Sequence, residues 1–454
     1  MKIHFVGIGG IGMSGLAAMC CNLGYEVTGS DRGADKAENQ RILGALRNQG
    51  IVIYPQDGSF VKDGLPEKIV YSTAIEDDNP DFLAAPDVER VHRAAFLEQM
   101  IKETNVENSI AVTGSCGKST VSSYLAEALL SLGEKPYCIT GALANNFATP
   151  SLAGNFYPGD GKFLVFEADE SDKSLLSYSP DYALILNIGC DHYDKEELAR
   201  VFGSFLQQVK KGAILSSDVY NQVKDFIPKS LPVAVFGEED KLNYRLVSYE
   251  LPTATFNVGS VTLPQSGKHT ALNALAIFAM LEMLKFDKIS SLKAIENFGG
   301  IWRRNDYAGK TASGALVYDD YAHNPEKIIS CLSGMKELIT GRVIAIFQPH
   351  GYGPWGFMEE ELGKALDEFL SEKDVFVVME PYYAGGTSSF KPSAKEVVDK
   401  WQSLYKNKER FMLGSSRDVV AKFVKNYATA NDIVVIMGAR DNSLSTYAKS
   451  LTNN

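Results

Sequence analysis

Short apolar segments alternate with helix-like segments along this 454-residue chain, and this alternation restricts the possible folds more than any other feature of the sequence. The apolar segments are Ile3–Ile8, Val27–Gly29, Ile69–Ser72, Ile110–Thr113, Phe163–Phe166, Ala183–Ile188, Ala213–Leu215, Val233–Phe236, Leu316–Tyr318, Val343–Phe347, Val375–Met379 and Ile433–Met437. Ten or more residues with helical spacing lie between many of them, as at Val121–Ser131 and Pro325–Glu337. Such alternation predicts an α/β fold of parallel sheets with helices on their faces. Ligands of these sheets bind beyond the carboxyl ends of the strands.

Length and two breaks in the pattern predict three domains. At roughly 150 residues per domain, the chain can build about three separate cores. The polar stretch Lys102–Asn108 precedes a new strand, and Gly299-Gly300 follow a long helix and precede Arg303-Arg304. We therefore expect domains at residues 1–107, 108–300 and 301–454.

Composition and charge argue against nucleic-acid and membrane proteins. The net charge is −11, whereas nucleic-acid binding needs basic surface. No apolar run approaches the ~18 residues of a membrane-spanning helix, and Asn273 and Glu282 interrupt Ala271–Leu284, which predicts a packed helix. The amino-terminal sequence lacks the apolar block of a secretion signal, so we expect a cytoplasmic protein with neither a nucleic-acid nor a membrane partner. The six cysteines form no CxxC pair, and reduced thiols are expected.

A glycine-rich loop between a strand and a helix predicts a nucleotide site. Residues 110–120 read IAVTGSCGKST, so an apolar strand leads into the loop and a helix begins directly after it. The residues expected to hold ATP there are Gly114, Ser115, Gly117, Lys118, Ser119 and Thr120. Backbone N–H groups surround phosphate oxygens, Lys118 supplies a charge for the β- and γ-phosphates, and a hydroxyl of Ser119 or Thr120 can hold Mg²⁺. Val112 stands where the usual pattern has a glycine, and the alternative is an ordinary turn before a helix.

Carboxylates and a histidine follow the next two strands. Residues 162–172 read KFLVFEADESD, in which four apolar residues precede the carboxylates Glu167, Asp169, Glu170 and Asp172. Carboxylate oxygens suit Mg²⁺, which often shares its ligands with phosphate. Asp191-His192 come after the following strand, and a neutral His192 could ligate a second metal ion. The alternative is a solvated strand end, which we expect for at least two of the four carboxylates, whereas the metal interpretation is favoured for Glu167 and His192.

A second glycine motif opens the chain. Residues 7–12 read GIGGIG after a short strand, match GxGxxG, and are followed by Asp31. Alone, this pattern favours a dinucleotide-dependent oxidoreductase. The downstream loop with its lysine fits ATP better, and the same turn could hold any diphosphate, including that of a UDP-sugar.

Together these motifs resemble the Mur ligase family, and most of all its members that add L-alanine. The matching segments lie in the family's order and span nearly the whole chain. They are IHFVGIGGIGMSGLA at 3–17, YSTAI and DNP within 71–80, GSCGKST at 114–120, EADESD at 167–172, DH at 191–192, GKHTALNALA at 267–276, WRRN at 302–305, DDYAHNP at 319–325 and QPH at 348–350.

The resemblance implies a fold of three α/β domains and an amide-forming reaction. The first domain is Rossmann-like and binds UDP, the second is P-loop ATPase-like and binds ATP with Mg²⁺, and the third is Rossmann-like and binds the incoming amino acid. The implied enzyme is an ATP-dependent ligase of peptidoglycan precursor synthesis that joins L-alanine to UDP-N-acetylmuramate. The muramyl carboxylate attacks the γ-phosphate of ATP, and the amine then displaces phosphate from the acyl phosphate.

The resemblance also assigns roles to residues by their positions in the motifs. Lys118 contacts the phosphates, Ser119 or Thr120 and Glu167 hold one Mg²⁺ ion, and His192 holds the other. The residues expected at the UDP-sugar are Gly9, Gly10, Gly12, Ser72 and Thr73. Those expected near the nucleotide are His269, Asn273, Arg304 and Asp320, and those expected at the reacting ends of the substrates are His323 and His350.

Two departures from the family pattern bear on activity and substrate. Ser115 and Cys116 replace the threonine and histidine of the phosphate loop, and the serine keeps the hydroxyl. After QPH, the alanine-adding members have an arginine-rich turn, where this chain has Gly351–Gly356. We therefore expect L-alanine to be used poorly or another acceptor to be preferred, with Trp355 offering it an apolar face. The alternative is that another cation, such as Arg303, has taken over and that alanine remains the substrate.

Three other functions are compatible with parts of the sequence. A recycling ligase would attach a whole stem peptide to UDP-N-acetylmuramate, and the missing arginine turn leaves room for it. A catalytically silent nucleotide-binding relative would not need the lysine, glutamate and histidines that this chain has. An NAD-dependent oxidoreductase would use only the first glycine motif.

Overall fold

The computed structural model describes residues 1–36, 39–170, 174–189, 195–383, 389–405 and 408–453. Within these residues the strands form three sheets of five, ten and six strands. Compact packing divides the chain into two units, residues 1–264 with 268–301 and residues 265–267 with 302–454. The first unit contains the five- and ten-stranded sheets, and the second contains the six-stranded sheet. The expected α/β architecture is confirmed.

The first sheet is parallel throughout. Its strands are β1 (Lys2–Val6), β2 (Glu26–Asp31), β3 (Val52–Pro55), β4 (Lys68–Tyr71) and β5 (Glu89–His92). Its helices are α1 (Ile11–Asn22), α2 (Gln40–Asn48), α3 (Pro80–Ala84) and α4 (Arg93–Glu103). The strand order is β3-β2-β1-β4-β5. Because the order reverses between β1 and β4, a ligand crevice is expected beyond the carboxyl ends of these two strands.

The second sheet has a parallel centre and antiparallel margins. Its strands are β6 (Asn108–Thr113), β7 (Tyr137–Ile139), β8 (Phe156–Tyr157), β9 (Phe163–Glu167), β10 (Tyr182–Ile185), β11 (Gly212–Ser216), β12 (Val233–Gly237), β13 (Tyr244–Glu250), β14 (Thr253–Phe256) and β15 (Gly259–Thr262). Its helices are α5 (Lys118–Ser131), α6 (Lys195–Leu206), α7 (Ser217–Val223), α8 (Lys268–Met283) and α9 (Lys288–Ala294). The order is β15-β14-β13-β12-β11-β10-β6-β9-β7-β8. This order places β6 between β9 and β10, whose ends carry the predicted site residues.

Helix α8 is buried in the core of the first unit, as expected for Ala271–Leu284. Residues 274–281 are fully covered. Among the described residues, no helix is long and apolar enough to cross a membrane.

The third sheet is parallel except at β16. Its strands are β16 (Asp306–Lys310), β17 (Leu316–Asp320), β18 (Val343–Phe347), β19 (Val375–Met379), β20 (Phe411–Gly414) and β21 (Ile433–Met437). Its helices are α10 (Pro325–Lys336), α11 (Tyr352–Phe369), α12 (Ala394–Leu404), α13 (Arg417–Tyr427) and α14 (Ser443–Ser450). The order is β16-β17-β21-β18-β19-β20. Strands β18, β19 and β21 are buried along their whole length, as is typical of parallel strands covered on both faces.

Candidate active site

The loop after β6 is held in shape by two glycines and by Asn187. Gly114 and Gly117 have φ angles of 136° and 87°, a region that favours glycine. The Asn187 side chain accepts a hydrogen bond from the Cys116 N–H at 2.8 Å and donates one to the Cys116 carbonyl at 2.9 Å. Asn187 follows β10, the neighbour of β6, so the sheet itself positions the loop. The loop ends at the amino terminus of α5, where N–H groups favour a phosphate.

Lys118, the first residue of α5, is surrounded by oxygen atoms. Its ammonium group donates to the Gly114 carbonyl at 2.9 Å and to Glu170 Oε2 at 2.7 Å, and it lies 3.8 Å from Asp169 Oδ1. Burial alone would lower the pKa of Lys118, but Glu170, Asp169 and Glu167 outweigh it and raise that pKa. Lys118 is therefore protonated at neutral pH and supplies a positive charge directly at the loop.

The oxygen ligands expected for Mg²⁺ follow two neighbouring strands, with Glu167 at the end of β9 and with Ser119 and Thr120 in the first turn of α5, after β6. Glu167 is the last residue of β9, and its Oε2 accepts a hydrogen bond from the Gly141 N–H at 2.7 Å. Thr140 Oγ1 lies 3.4 Å from the same oxygen and 3.3 Å from the Ser119 carbonyl. Glu167 and the hydroxyls of Ser119 and Thr120 are hard oxygen donors of the kind that Mg²⁺ requires. The donor set at this edge therefore fits the ion.

The second predicted metal ligand cannot be placed. His192 lies outside the described residues, as do Asp191 and Asp172. In the part of the chain that the structure describes, no group of three or more His, Cys, Asp or Glu side chains could hold a metal ion. The assignment of His192 stays a prediction.

Asn273 and His269 lie one turn apart on α8, beside the phosphate loop. A Cβ at Gly117 would lie 3.7 Å from Asn273 Oδ1, so this amide is next to the start of α5. His269 is exposed at the first turn of α8. Of these two residues expected near the nucleotide, Asn273 therefore lies next to the phosphate loop, and His269 lies one helical turn before it.

The first glycine loop is shaped by Asp31, which ends β2. Asp31 accepts hydrogen bonds from the Gly9 N–H at 2.8 Å and from the Gly33 N–H at 2.7 Å. Gly7 has a φ of 74°, and a Cβ there would lie 3.2 Å from Ile75 Cδ1. Both Asp31 oxygens are thus bonded to the protein's own backbone, whereas a dinucleotide fingerprint uses this acid on a ribose.

The predicted UDP-sugar residues share one edge of the first sheet. Gly9 and Gly10 follow β1, and Ser72 and Thr73 follow β4, its neighbour in the sheet. Gly12 lies in the first turn of α1. These residues therefore surround the crevice expected at the reversal of strand order.

Arg93, which the sequence did not single out, lies over the same glycine loop. A Cβ at Gly12 would lie 2.5 Å from Arg93 Nη1, so the guanidinium occupies the space that a side chain at position 12 would need. The Arg93 side chain makes no hydrogen bond or ion pair with any residue that the structure describes. A guanidinium beside a helix N-terminus suits a phosphate group.

In the second unit, Arg303 and Arg304 have different environments. Arg303 is fully buried, and its guanidinium donates to Asp319 at 3.1 Å and to the carbonyls of Gly438 and Ala439. Burial raises the pKa of Asp319 to about 6, against the opposing effect of Arg303. The idea that Arg303 could bind an incoming carboxylate is therefore wrong, because its guanidinium is already used within the core. Arg304 is half-exposed, its side chain makes no hydrogen bond or ion pair with any described residue, and its charge acts on Asp320.

Asp320 shapes the turn that carries Arg304. Its Oδ2 accepts a hydrogen bond from the Asn305 N–H at 2.7 Å, and its Oδ1 accepts one from the Ala322 N–H at 2.8 Å. Arg303 and Asn305 have φ angles of 58° and 46°, which are uncommon for residues other than glycine. Burial raises the pKa of Asp320. Through its bond with the Asn305 N–H, Asp320 thus fixes the backbone next to Arg304.

His323 and His350 lie together beyond β17 and β18. Their ring centroids are 5.2 Å apart in an edge-to-face arrangement. His323 Nδ1 is 2.9 Å from the Tyr321 carbonyl, which can only accept, so Nδ1 carries the proton and Nε2 is the acceptor in the neutral ring. Burial, together with the charges of His323 and Arg440, lowers the pKa of His350 to about 4. The structure thus brings together the two histidines expected at the reacting ends.

The segment Gly351–Gly356 is not an open turn, and Trp355 does not face a substrate. Helix α11 begins at Tyr352, and Trp355 is fully buried in the core of the second unit. The Trp355 ring centroid lies 5.7 Å from that of Trp401. The expectation that Trp355 offers an apolar face to an acceptor is therefore wrong, because helix formation turns this side chain inward.

Three protein-family models match consecutive parts of the chain. They are "Mur ligase family, catalytic domain" at residues 2–104, "Mur ligase middle domain" at 112–281 and "Mur ligase, glutamate ligase domain" at 303–440. Among curated proteins, the chain is similar to the UDP-N-acetylmuramate–L-alanine ligase of Dictyoglomus turgidum, with 32% identity over 96% of this chain and 94% of the relative. It is also similar to the enzyme of that name from Sinorhizobium fredii, with 31% identity over 96% and 94%.

Solved structures show the same likeness over the whole length. The UDP-N-acetylmuramate–alanine ligase of Thermotoga maritima matches with a TM-score of 0.78 and 27% identity, over 99% of this chain and 98% of that one. A murein peptide ligase of Psychrobacter arcticus matches with a TM-score of 0.67 and 22% identity, over 99% and 98%. The second match shows a shared fold alone.

Proposed function

The chain belongs to the Mur ligase family, and on that premise we propose that it is an ATP-dependent ligase joining L-alanine to UDP-N-acetylmuramate in peptidoglycan precursor synthesis. The observation that carries the proposal is the Lys118 ammonium, held in a glycine loop against the carboxylates that follow β9. A protonated lysine at such a loop serves phosphoryl transfer. The substrates are those named for the relatives that this chain resembles over nearly its full length. ATP as a substrate supports a cytoplasmic location.

In the proposed reaction, the muramyl carboxylate attacks the γ-phosphorus of ATP and ADP leaves. Lys118 and the loop N–H groups neutralise the charge on the transferred phosphoryl group. Mg²⁺ held by Glu167 with the hydroxyl of Ser119 or Thr120 would supply further positive charge there. The free amine of L-alanine then attacks the acyl phosphate, the C–O bond to phosphate breaks, and an amide forms.

His323 is suited to deprotonating the incoming ammonium group. Its Nδ1 donates to the Tyr321 carbonyl, so Nε2 is the basic atom of the neutral ring. His350 is a weak base because burial holds its pKa at about 4. We therefore assign the role of general base to His323, with His350 as its neutral neighbour.

Two alternatives are less well supported. The hydrogen bonds that Asp31 accepts from the Gly9 and Gly33 N–H groups argue against the NAD-dependent oxidoreductase, because they engage both oxygens of the acid that would bind the ribose. The likeness to the murein peptide ligase shows a shared fold alone and does not favour a stem-peptide acceptor.

The test is an ADP-release assay with ATP, Mg²⁺, UDP-N-acetylmuramate and a panel of L-alanine, glycine, L-serine and a stem tripeptide. We expect ADP release to require both the sugar nucleotide and L-alanine, with mass spectrometry showing the alanyl amide of UDP-N-acetylmuramate. Product from the tripeptide alone would support the recycling ligase instead. ADP release that ignores the sugar nucleotide would contradict the proposal.

A further inference from the structure

The sheet of the second unit brings one arginine and two histidines to the same level beyond its strands. Met437 of β21 pairs with Asp320 of β17 on one side and with Phe347 of β18 on the other. The third residues after these paired positions are His323, Arg440 and His350. Because the three strands are parallel, these side chains leave the same edge of the sheet.

The turn that carries Arg440 is held firmly on both sides. Gly438 has a φ of 153°, and Arg303 donates from the core to the carbonyls of Gly438 and Ala439. On the other side, Asp441 Oδ2 accepts a hydrogen bond from Arg417 at 2.7 Å. The position of Arg440 is therefore set by bonds that do not involve its own side chain.

The Arg440 guanidinium itself is available to a ligand. The side chain is exposed, and it makes no hydrogen bond or ion pair with any residue within the described ranges. Its charge is nevertheless close enough to help lower the pKa of His350, whose ring lies 5.2 Å from that of His323. An arginine held this way, at the same edge of the sheet as two imidazoles, suits a planar anion bound in a bidentate manner.

We propose that Arg440 binds the carboxylate of the incoming amino acid, a role that rests on the proposed ligase function. The chain has no cation in Gly351–Gly356. Gly351 has a φ of 148°, a backbone conformation that an arginine would adopt only with strain. Arg303 is buried in its own ion pair. The acceptor is therefore a small amine with a free α-carboxylate, such as L-alanine, rather than a large apolar one.

The experiment measures KM and kcat for L-alanine and for L-alaninamide, which lacks the carboxylate, in the wild-type enzyme, Arg440→Ala and Arg440→Lys. Lys422→Ala, which removes an exposed charge from α13 of the same unit, is the matched control. Wild type should prefer L-alanine over the amide by about ten- to a hundredfold, the range expected for a charged hydrogen-bonded contact. Arg440→Ala should lose that preference through a higher KM for L-alanine alone. Arg440→Lys should recover part of it, and Lys422→Ala should behave as wild type.

Two results would overturn the inference while leaving the ligase function intact. One is an Arg440→Ala enzyme that keeps the wild-type preference for L-alanine over the amide. The other is a rise in the KM for ATP with no change for L-alanine, which would assign the guanidinium to a phosphate. If wild type made no product from any acceptor, the proposed function would fail, and this inference with it.

Discussion

Lys118 and Glu170 form a buried ion pair in which the two residues have different tasks. The ammonium group is 2.7 Å from Glu170 Oε2, and both side chains are largely buried. Burial raises the pKa of Glu170, although Lys118 opposes that effect. A phosphate that binds at the loop competes with Glu170 for the same ammonium group. The carboxylate therefore keeps the lysine positioned at the loop.

Lys118→Ala should slow catalysis strongly and should also lower the free energy of unfolding. We expect kcat to fall by about 10²–10³-fold, as when one preorganised charge-stabilising group is lost. Stability should fall by roughly 3 kcal/mol because Glu170 is left buried without its partner. The double variant Lys118→Ala/Glu170→Gln separates the effects, since it should recover stability and not activity. Turnover of Lys118→Ala near the wild-type rate would show that the loop assignment is wrong.

At the scale of secondary-structure elements, the start of α1 has room for the Arg93 guanidinium because residue 12 is a glycine. A Cβ at Gly12 would lie 2.5 Å from Arg93 Nη1, whereas one at Gly44 in α2 would meet nothing within 4 Å. Gly12→Ala should therefore displace Arg93 and raise the KM for UDP-N-acetylmuramate by roughly tenfold, the loss of one charged hydrogen bond. Gly44→Ala should leave that KM unchanged.

Steady-state kinetics with the sugar nucleotide varied at saturating ATP would measure the effect of Gly12→Ala. The KM for ATP should stay at the wild-type value because the phosphate loop lies on another sheet. Equal KM values for the sugar nucleotide in both glycine variants would show that Arg93 does not contact the diphosphate.

Strands in the centre of each sheet could be predicted from the sequence, whereas most strands at or near the edges could not. Every apolar segment predicted as a strand overlaps one, because buried parallel strands such as β18 and β21 are continuous apolar runs. Strand β5 reads Glu-Arg-Val-His at the edge of its sheet, with only Val91 buried. Its pairing with β4 gives it order that its composition does not reveal.

In the candidate site too, residues within a local motif could be predicted, whereas residues positioned by distant segments could not. Lys118 and Glu167 lie in contiguous motifs, so the type of residue and its place after a strand predicted them. Asn187, Arg93 and Arg440 owe their positions to strand neighbours or turns that are distant in sequence. The error over Trp355 had a local cause: the glycines and Pro354 suggested a turn, but proline is tolerated in the first turn of a helix.

For the molecule as a whole, the tryptophans provide a separate probe of the second unit. The chain has three, Trp302, Trp355 and Trp401, and each lies in that unit.

Asp432, next to β21, accepts a hydrogen bond from Arg342 at 2.7 Å. Burial alone would raise the pKa of Asp432, but the bonds from Arg342 and Thr429 outweigh it and lower it to about 2 from 3.8.

Asp432→Asn should therefore destabilise the second unit by about 2 kcal/mol at pH 7. Because the folded pKa is lowered, this stabilisation is complete above pH 3.8 and is lost as the pH falls from 3.8 toward 2. Urea unfolding followed by tryptophan fluorescence should show the variant and wild type converging in that range. The exposed Glu372→Gln serves as the control and should match wild type throughout. A pH-independent difference for Asp432→Asn would contradict the assigned ionic role.

In the proposed reaction, the carboxylate of the sugar nucleotide is phosphorylated by ATP before the amide forms. The most direct measurement uses UDP-N-acetylmuramate with ¹⁸O in both carboxylate oxygens, together with ATP and L-alanine, and follows the label by ³¹P NMR. One ¹⁸O should move to each phosphate released, while the other stays in the amide carbonyl. Phosphate released without ¹⁸O would rule out an acyl phosphate, because its fourth oxygen would then have come from water.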